Sequence, residues 1–256
     1  MRALHDLIDL VLPACCVCCG RPGTEWCVPC QPASTAGRVW PAHGPPAFAA
    51  GEYAQELRTA LLHFKERGAR RLSAVLAGYL ADAVDVACRA FPSAATVGSA
   101  VLVPVPSRRA AARSRGGDHV VRLARAVSRQ TGWPVVRPLR LTAAVADSAG
   151  LNPAERRANL SGRMAARAPV STTLGSTPKV ILLDDIVTTG TTAAEASRAL
   201  LAAGWPPVTL AAIAATRLRR PDPSAAAVQP YSESEPDAEQ TQGDFNCAEQ
   251  HGGATV

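Results

Sequence analysis

Two adjacent carboxylates stand directly before a loop of threonine and glycine. Asp184 and Asp185 follow four apolar residues of strand type, Val180–Leu183. The loop after them contains Thr188, Thr189, Gly190, Thr191 and Thr192. Backbone N–H groups at a helix N-terminus suit a phosphate, and ionised carboxylates accept hydrogen bonds from vicinal sugar hydroxyls. Ribose 5-phosphate, which has a diol at one end and a phosphate at the other, satisfies both halves.

The elements around these residues favour a ligand at this position. Val180–Leu183 predicts a buried strand, and Thr192–Ala203 predicts a helix. The acids then lie at the carboxyl end of a strand, where ligands of open α/β sheets bind. An ordinary strand–helix turn with solvated acids is the alternative interpretation.

The thirteen residues from Val180 to Thr192 resemble the phosphoribosyl pyrophosphate (PRPP) motif of type I phosphoribosyltransferases. The resemblance implies that Asp184 and Asp185 bind the ribose hydroxyls and act as catalytic residues. It also implies that Thr188–Thr192 binds the 5′-phosphate, and that Mg²⁺ accompanies PRPP.

A second strand ends in an arginine-rich segment. Val101–Val103 predicts a short buried strand, and Arg108, Arg109 and Arg115 follow it in a glycine-containing loop. Arginine offers multidentate donors that stay charged, as a pyrophosphate group requires. A solvated loop without a ligand is the equally weighted alternative.

Further segments complete an α/β pattern. Helices are predicted over Tyr53–Phe64, Leu72–Val84 and Val120–Gln130, and strands over 133–141 and Val208–Ala214. Strands that alternate with helices predict a parallel sheet with both faces covered. Residues 31–47 are rich in Pro and Gly and are interpreted as a linker.

Cysteines crowd into residues 15–30. Cys16-x-x-Cys19 followed by Cys27-x-x-Cys30 predicts a small zinc ribbon with four thiolate ligands. Cys15 and Cys18 offer a competing register for the first pair. Disulfides or a redox pair are the alternatives, and the expected cytoplasmic setting disfavours structural disulfides.

The charge is unevenly distributed along the chain. The formal net charge is +6, but residues 221–256 contain seven acidic and no basic side chains, which leaves +13 on residues 1–220. Such a body can attract phosphate-bearing partners, with single-stranded DNA among the candidates. A solvated basic surface without a partner is the alternative. The tail has few aliphatic residues and is predicted to be disordered.

The remaining predictions concern domains and location. Residues 1–45 are assigned to an N-terminal helix, ribbon and linker, 46–220 to the ligand-binding domain and 221–256 to the tail. The apolar start, Leu4–Leu12, is interrupted by charged residues and predicts a short packed helix rather than a signal peptide. No apolar run has the length of a membrane span, so no membrane insertion is expected.

Taken together, the motifs from about Leu10 to Arg217 resemble the ComF/GntX family of phosphoribosyltransferase-like proteins. The resemblance implies a type I phosphoribosyltransferase fold that carries a zinc ribbon, transfer of a phosphoribosyl group to an unidentified acceptor such as a nucleobase, and a link to DNA uptake machinery. The chain departs from the family pattern at Gly117-Asp118-His119 and Ser148. Thr188 also stands where purine-salvage enzymes carry an acid, so a non-catalytic PRPP- or nucleotide-binding accessory protein is the alternative.

Overall fold

The computed structural model describes residues 14–66, 71–90, 100–107, 118–142, 162–169 and 179–216. Four sequence predictions therefore lie outside the described residues. These are the helix at Leu4–Leu12, the arginines at 108, 109 and 115, the segment around Ser148, and the acidic tail at 221–256.

The described strands form a mostly parallel central sheet. Its order is β1–β2–β7–β6–β3, in which the last four strands are parallel and β1 pairs antiparallel with β2. A separate antiparallel ribbon pairs β4 with β5. The strands are β1 Gly37–Val39, β2 Ala47–Glu52, β3 Ala100–Pro104, β4 Leu139–Leu141, β5 Met164–Ala166, β6 Lys179–Val187 and β7 Val208–Ala215.

Four described α-helices flank this sheet. They are α1 Gln55–Glu66, α2 Leu72–Ala90, α3 His119–Thr131 and α4 Thr191–Ala202, and a single 3₁₀ turn covers Val28–Cys30. The Asp118 side chain caps α3 by accepting hydrogen bonds from the N–H groups of Val120 and Val121. Gly132, with a φ of 76°, ends α3 in the left-handed conformation.

The sheet divides the core into two layers. Along β6, Ile181 and Leu183 pack with α1, α2 and α3, whereas Val180 and Leu182 pack with α4. Successive side chains of a strand point to opposite faces, so a strand that is covered on both faces must be apolar throughout. This explains the unbroken apolar run before Asp184.

The ribbon of β4 and β5 is attached to α4 through one buried carboxylate. Glu195 accepts hydrogen bonds from the Met164 N–H at 3.0 Å and from the Arg198 guanidinium at 2.7 Å. Arg198 also donates to the Met164 carbonyl. Burial would raise the pKa of Glu195, but these donors outweigh it and lower the pKa. The ion pair is therefore structural.

The predicted α/β class and the parallel sheet are confirmed. The predicted helices lie within two residues of α1, α3 and α4. The strand predicted over 133–141 is interrupted: Leu139–Leu141 forms a strand in the small ribbon, and Val135 makes one isolated parallel bridge with Leu102 of β3. Pro134 and Pro138 remove the N–H donors that a longer strand would need.

The linker interpretation of residues 31–47 is also wrong at Gly37–Val39, which forms β1 at the sheet edge. An edge strand needs hydrogen bonds on one side only, and it therefore tolerates the glycine and proline that suggested a linker. The neighbouring β2 was not anticipated, because its sequence Ala-Phe-Ala-Ala-Gly-Glu contains one strong strand former.

Candidate functional site

The carboxyl end of β6 brings the predicted acids to the end of the sheet. Asp184 is partly exposed, whereas Asp185 is 3% exposed. Asp184 pairs with Ala212 of β7, and the register continues to Val187 opposite Ala215. The two carboxylates thus occupy different environments although they are adjacent in sequence.

Asp185 is bound by two side chains from distant helices. Its Oδ2 atom lies 2.7 Å from Lys65 Nζ, at the end of α1, and 2.6 Å from His119 Nε2, at the start of α3. The Phe64 ring packs edge-on against His119, with 6.3 Å between ring centroids. Asp185 is therefore the point at which α1, α3 and β6 meet.

These partners keep Asp185 ionised. Burial would raise the pKa of its carboxyl group, but the Lys65 ammonium and the His119 ring outweigh burial and lower the pKa. For Lys65, burial opposes the charged form, while Asp185 raises its pKa. The pair therefore remains charged at neutral pH.

Asp184 behaves in the opposite way. Burial and the neighbouring charge of Asp185 raise its pKa to about 8. Its Oδ1 atom accepts a hydrogen bond from the Asp185 N–H at 2.9 Å. One acid of the pair is thus held ionised inside the protein, while the other is partly exposed and able to change its protonation state near neutral pH.

The loop predicted to bind phosphate directly follows β6 in the chain. Thr188 is exposed, Thr189 is partly buried, and α4 begins at Thr191 after Gly190, whose φ is 80°. The hydroxyl groups of Thr189 and Thr191 lie 2.8 Å apart. The N-cap residue of α4, Gly190, has no side chain that could cap the helix. The loop therefore presents a helix N-terminus beside the two acids, as the sequence predicts.

The neighbouring strand, β3, ends beside the two acids. β3 pairs in parallel with β6, with Pro104 opposite Leu183, so both strands end at the same side of the sheet. The Ser107 N–H donates to Asp118 Oδ2 at 3.0 Å. The Ser107 hydroxyl is buried and has no hydrogen-bond partner among the described residues. The arginines predicted to bind pyrophosphate follow this serine but lie outside the described residues.

A four-cysteine cluster forms a separate candidate metal site. The Sγ atoms of Cys16, Cys19, Cys27 and Cys30 all lie within 4.8 Å of one another. Zn–S bonds of about 2.3 Å in a tetrahedron place sulfur atoms about 3.8 Å apart, and Cys19 and Cys27 are separated by 3.6 Å. The cluster therefore fits a structural metal such as zinc.

The geometry selects Cys16 with Cys19 over the competing register. The cluster of close sulfur atoms contains Cys16 and Cys19 but neither Cys15 nor Cys18, and the Cys18 thiol lies instead against the Glu56 carbonyl at 3.8 Å. Burial opposes ionisation of Cys16, but backbone N–H groups, that of Cys27 first, outweigh it and lower its pKa to about 6. A thiolate is the form that binds a metal.

An aromatic pair attaches the cluster to the body of the protein. Trp26 stacks on Tyr79 of α2 with 5.7 Å between centroids, and its indole N–H donates to the Cys30 carbonyl at 2.9 Å. The Tyr79 hydroxyl donates to the carbonyl of Pro32. Trp26 and Pro32 thus attach the C-terminal half of the cysteine segment to Tyr79 of α2.

Sequence reasoning missed the two partners of Asp185. Lys65 is one of two lysines in the chain, and no site predicted from the sequence includes it. His119 entered the sequence interpretation only as part of a segment that departs from the ComF/GntX pattern. Rarity was thus the one available signal, because a pairing between three separate elements has no local sequence pattern.

Neither a protein-family model nor a curated protein matches this chain. Among the described residues, no helix is both long and apolar enough to cross a membrane. The fold and sites therefore define an α/β protein with a mostly parallel sheet, an acidic strand end and a cysteine cluster suited to a metal.

Proposed function

We propose that the chain binds PRPP with Mg²⁺ and transfers its 5-phosphoribosyl group to an acceptor, with release of pyrophosphate. The observation that carries the proposal is the meeting of a partly exposed Asp184 and the N-terminus of α4 at one end of the sheet. A sugar diol and a 5′-phosphate on one ligand would use both features.

Each part of the site has a distinct role in this proposal. The loop Thr188–Thr192 binds the 5′-phosphate through backbone N–H and hydroxyl donors. Asp184 accepts hydrogen bonds from the ribose hydroxyls. Lys65 and His119 fix Asp185, whose negative charge favours the positive charge that develops on the sugar. The loop and the acids thereby orient the reacting carbon.

In the transfer, the bond from C1 to the pyrophosphate oxygen breaks and a bond from C1 to the acceptor forms on the opposite face. The proton that the acceptor loses passes to the departing pyrophosphate. Arg108, Arg109 and Arg115 are the proposed pyrophosphate contacts. Carboxylate oxygens such as those of Asp184 suit a hard divalent cation, and Mg²⁺ would supply charge neutralisation of the pyrophosphate. A nucleobase is the acceptor class that we propose.

The cysteine cluster has a structural role in this account. Four thiolates complete the coordination of zinc and leave no open position for a substrate. We therefore assign Cys16, Cys19, Cys27 and Cys30 to a structural zinc ribbon. Its attachment to α2 through Trp26 fits that role.

A non-catalytic PRPP- or nucleotide-binding protein is the second candidate. Thr188 supplies no carboxylate to accept a proton from a base, and Asp185 is already engaged by Lys65 and His119. Such a protein would regulate or assist nucleotide metabolism or DNA uptake. The basic residues of 1–220 make single-stranded DNA its candidate macromolecular partner.

Phosphorus NMR separates the two candidates. The full chain is incubated with PRPP and Mg²⁺, then with nucleobases, and then with single-stranded DNA. Free pyrophosphate that forms with one acceptor, and fails to form with Asp184→Asn, establishes transfer. Asp184 is the better choice for this variant because changing Asp185 would also break its contacts with Lys65 and His119. Broadened PRPP signals without turnover favour the binding protein, and unperturbed signals contradict both.

A further inference from the structure

The segment between β1 and β2 lies directly against the candidate phosphate loop. We name Pro41–Gly44 the strap. The His43 N–H donates to the Thr189 carbonyl at 3.0 Å. Since this contact joins the sheet edge to a loop far along the chain, the strap is a tertiary feature that no local sequence pattern predicts.

Two glycines allow the strap to approach the loop closely. A Cβ atom added to Gly190 would lie 1.9 Å from the His43 carbonyl oxygen and 2.7 Å from the Pro41 Cβ. One added to Gly44 would lie 3.0 Å from the Gly190 carbonyl oxygen and 3.1 Å from the Ala194 nitrogen. That oxygen and nitrogen form a hydrogen bond at the start of α4, at 2.9 Å. The strap thus packs on the backbone of the first turn.

The bond to His43 also sets the orientation of one peptide group. In a trans peptide the C=O and the N–H point in opposite directions, and the structure has no cis peptide bond among the described residues. With the Thr189 carbonyl bonded to the strap, the Gly190 N–H is directed away from it. A rotation of this peptide would break the bond to His43.

We propose that the strap is a positioning element: it holds the Thr188–Gly190 backbone in the orientation that binds the 5′-phosphate. This rests on the proposed PRPP site. His43 and Gly44 touch the loop rather than the ligand, so they act through Thr189 and Gly190. The strap lowers the cost of binding because the loop is ordered before the ligand arrives.

Gly44→Ala tests the strap, and the chain offers a matched control. Gly44 and Gly204 are both exposed glycines with positive φ, 98° and 83°. An alanine at either position is strained, but a Cβ on Gly204, beyond the other end of α4, meets nothing within 4 Å. Both substitutions therefore strain the backbone, but only Gly44→Ala brings a new atom against the loop.

The measured quantities are the dissociation constants of ribose 5-phosphate and of pyrophosphate, and the hydrogen-exchange rates of the His43 and Ala194 amides. For Gly44→Ala we expect ribose 5-phosphate to bind about tenfold more weakly, the equivalent of 1.4 kcal/mol. Pyrophosphate, assigned to another loop, should bind as in the wild type. Both amides should exchange faster than in Gly204→Ala.

A second variant loosens the strap without a clash. Pro41→Gly removes the ring that packs against Gly190 and increases the freedom of the chain. Ribose 5-phosphate should again bind more weakly, with pyrophosphate unaffected. Agreement between two variants that act by different means supports positioning.

The outcomes separate the strap from the proposed function. If Gly44→Ala and Gly204→Ala bind ribose 5-phosphate with equal affinity, the proposed positioning role of the strap is wrong. It is also wrong if Gly44→Ala weakens the binding of ribose 5-phosphate and of pyrophosphate equally. If the wild type binds neither ligand, the proposed function fails. In that case the hydrogen-exchange rates test the strap by themselves. Faster exchange of the His43 and Ala194 amides in Gly44→Ala, but not in Gly204→Ala, supports the inference that the strap orders the loop. Any other pattern contradicts that inference.

Discussion

The two candidate sites of this protein are built in opposite ways. The cysteine cluster takes its four sulfur atoms from residues 16–30, a single short segment. The acidic site takes Lys65 from α1, His119 from α3 and Asp185 from β6. One site is local in sequence, whereas the other exists only when three elements of the sheet domain are in place.

This difference determines what stabilises each site. Four thiolates without a metal have little to hold them together, so metal binding and local folding of the cysteine segment are coupled. The charge of Asp185 instead depends on two fixed partners in a largely water-excluded position. Substitution of a cysteine ligand should therefore disrupt the cysteine cluster, whereas a change of side-chain charge or of pH should disrupt the acidic site.

The largest effect is expected at the cysteine cluster. Cys27→Ser removes one of four ligands, and the zinc content should fall from about one ion per chain to near zero after dialysis against a chelator. Trp26 should lose its stacking on Tyr79, which near-ultraviolet circular dichroism detects. Cys15→Ser and Cys18→Ser are the controls and should keep the ion. Loss of zinc from either control would contradict the assigned register.

The next effect is expected at Lys65. Lys65→Met leaves His119 as the one described side-chain partner of Asp185 and should lower the free energy of unfolding by about 3 kcal/mol, as for a broken buried ion pair. Lys65 and Asp185 side chains are 25% and 5% exposed, whereas those of the Arg89–Asp85 pair on α2 are 68% and 60% exposed. Arg89→Met should therefore cost less than about 1 kcal/mol. Urea denaturation measures both, and equal costs would refute the role given to burial.

The pH dependence should come next in size. An unfolded Asp has a pKa of about 3.9, and that of folded Asp184 is about 8. Between these values the folded protein keeps a proton that the unfolded chain has lost, so stability falls as pH rises. The full shift would correspond to about 5–6 kcal/mol, but solvent screening of this partly exposed carboxyl group reduces the effect to about 1–2 kcal/mol. Asp184→Asn should therefore be about 1–2 kcal/mol more stable than the wild type at pH 9, with little difference at pH 4.

The ionisation of Asp185 changes the stability with pH in the opposite direction. Its folded pKa is lowered, so its contribution is present above about pH 4 and is lost as pH falls further. The wild-type stability should therefore reach a maximum at mildly acidic pH. A stability that rises steadily from pH 5 to 9 would contradict the environments assigned to both acids.

The smallest effect is expected for a conservative change at His119. His119→Gln keeps an N–H donor for Asp185 and should cost about 1 kcal/mol or less, the net value of one hydrogen bond. His119→Leu removes the donor and should cost more, because among the described side chains it leaves Asp185 bound by Lys65 alone. Thermal unfolding of the two variants at pH 7 gives the comparison. Identical costs would mean that the ring acts by packing against Phe64.

The same contrast explains what could be predicted from the sequence. The cysteine spacing and the strand–loop–helix around Asp184 are local patterns, and both elements lie where the sequence indicates. The contacts of Asp185 and the strap join segments that are distant along the chain, and spacing contains no information about them. β1 was missed for a related reason, since its partner β2 has a weak strand signal of its own.

The most direct test of the central claim is the dissociation constant of PRPP with Mg²⁺, measured by calorimetry for the wild type and for Asp184→Asn. We expect saturable binding, competition by ribose 5-phosphate, and about tenfold weaker binding in the variant, in line with replacement of one carboxyl oxygen by an amide N–H₂ that cannot accept a hydrogen bond. No saturable binding, or equal affinity in the two proteins, would contradict a ribose-phosphate site at the carboxyl end of β6.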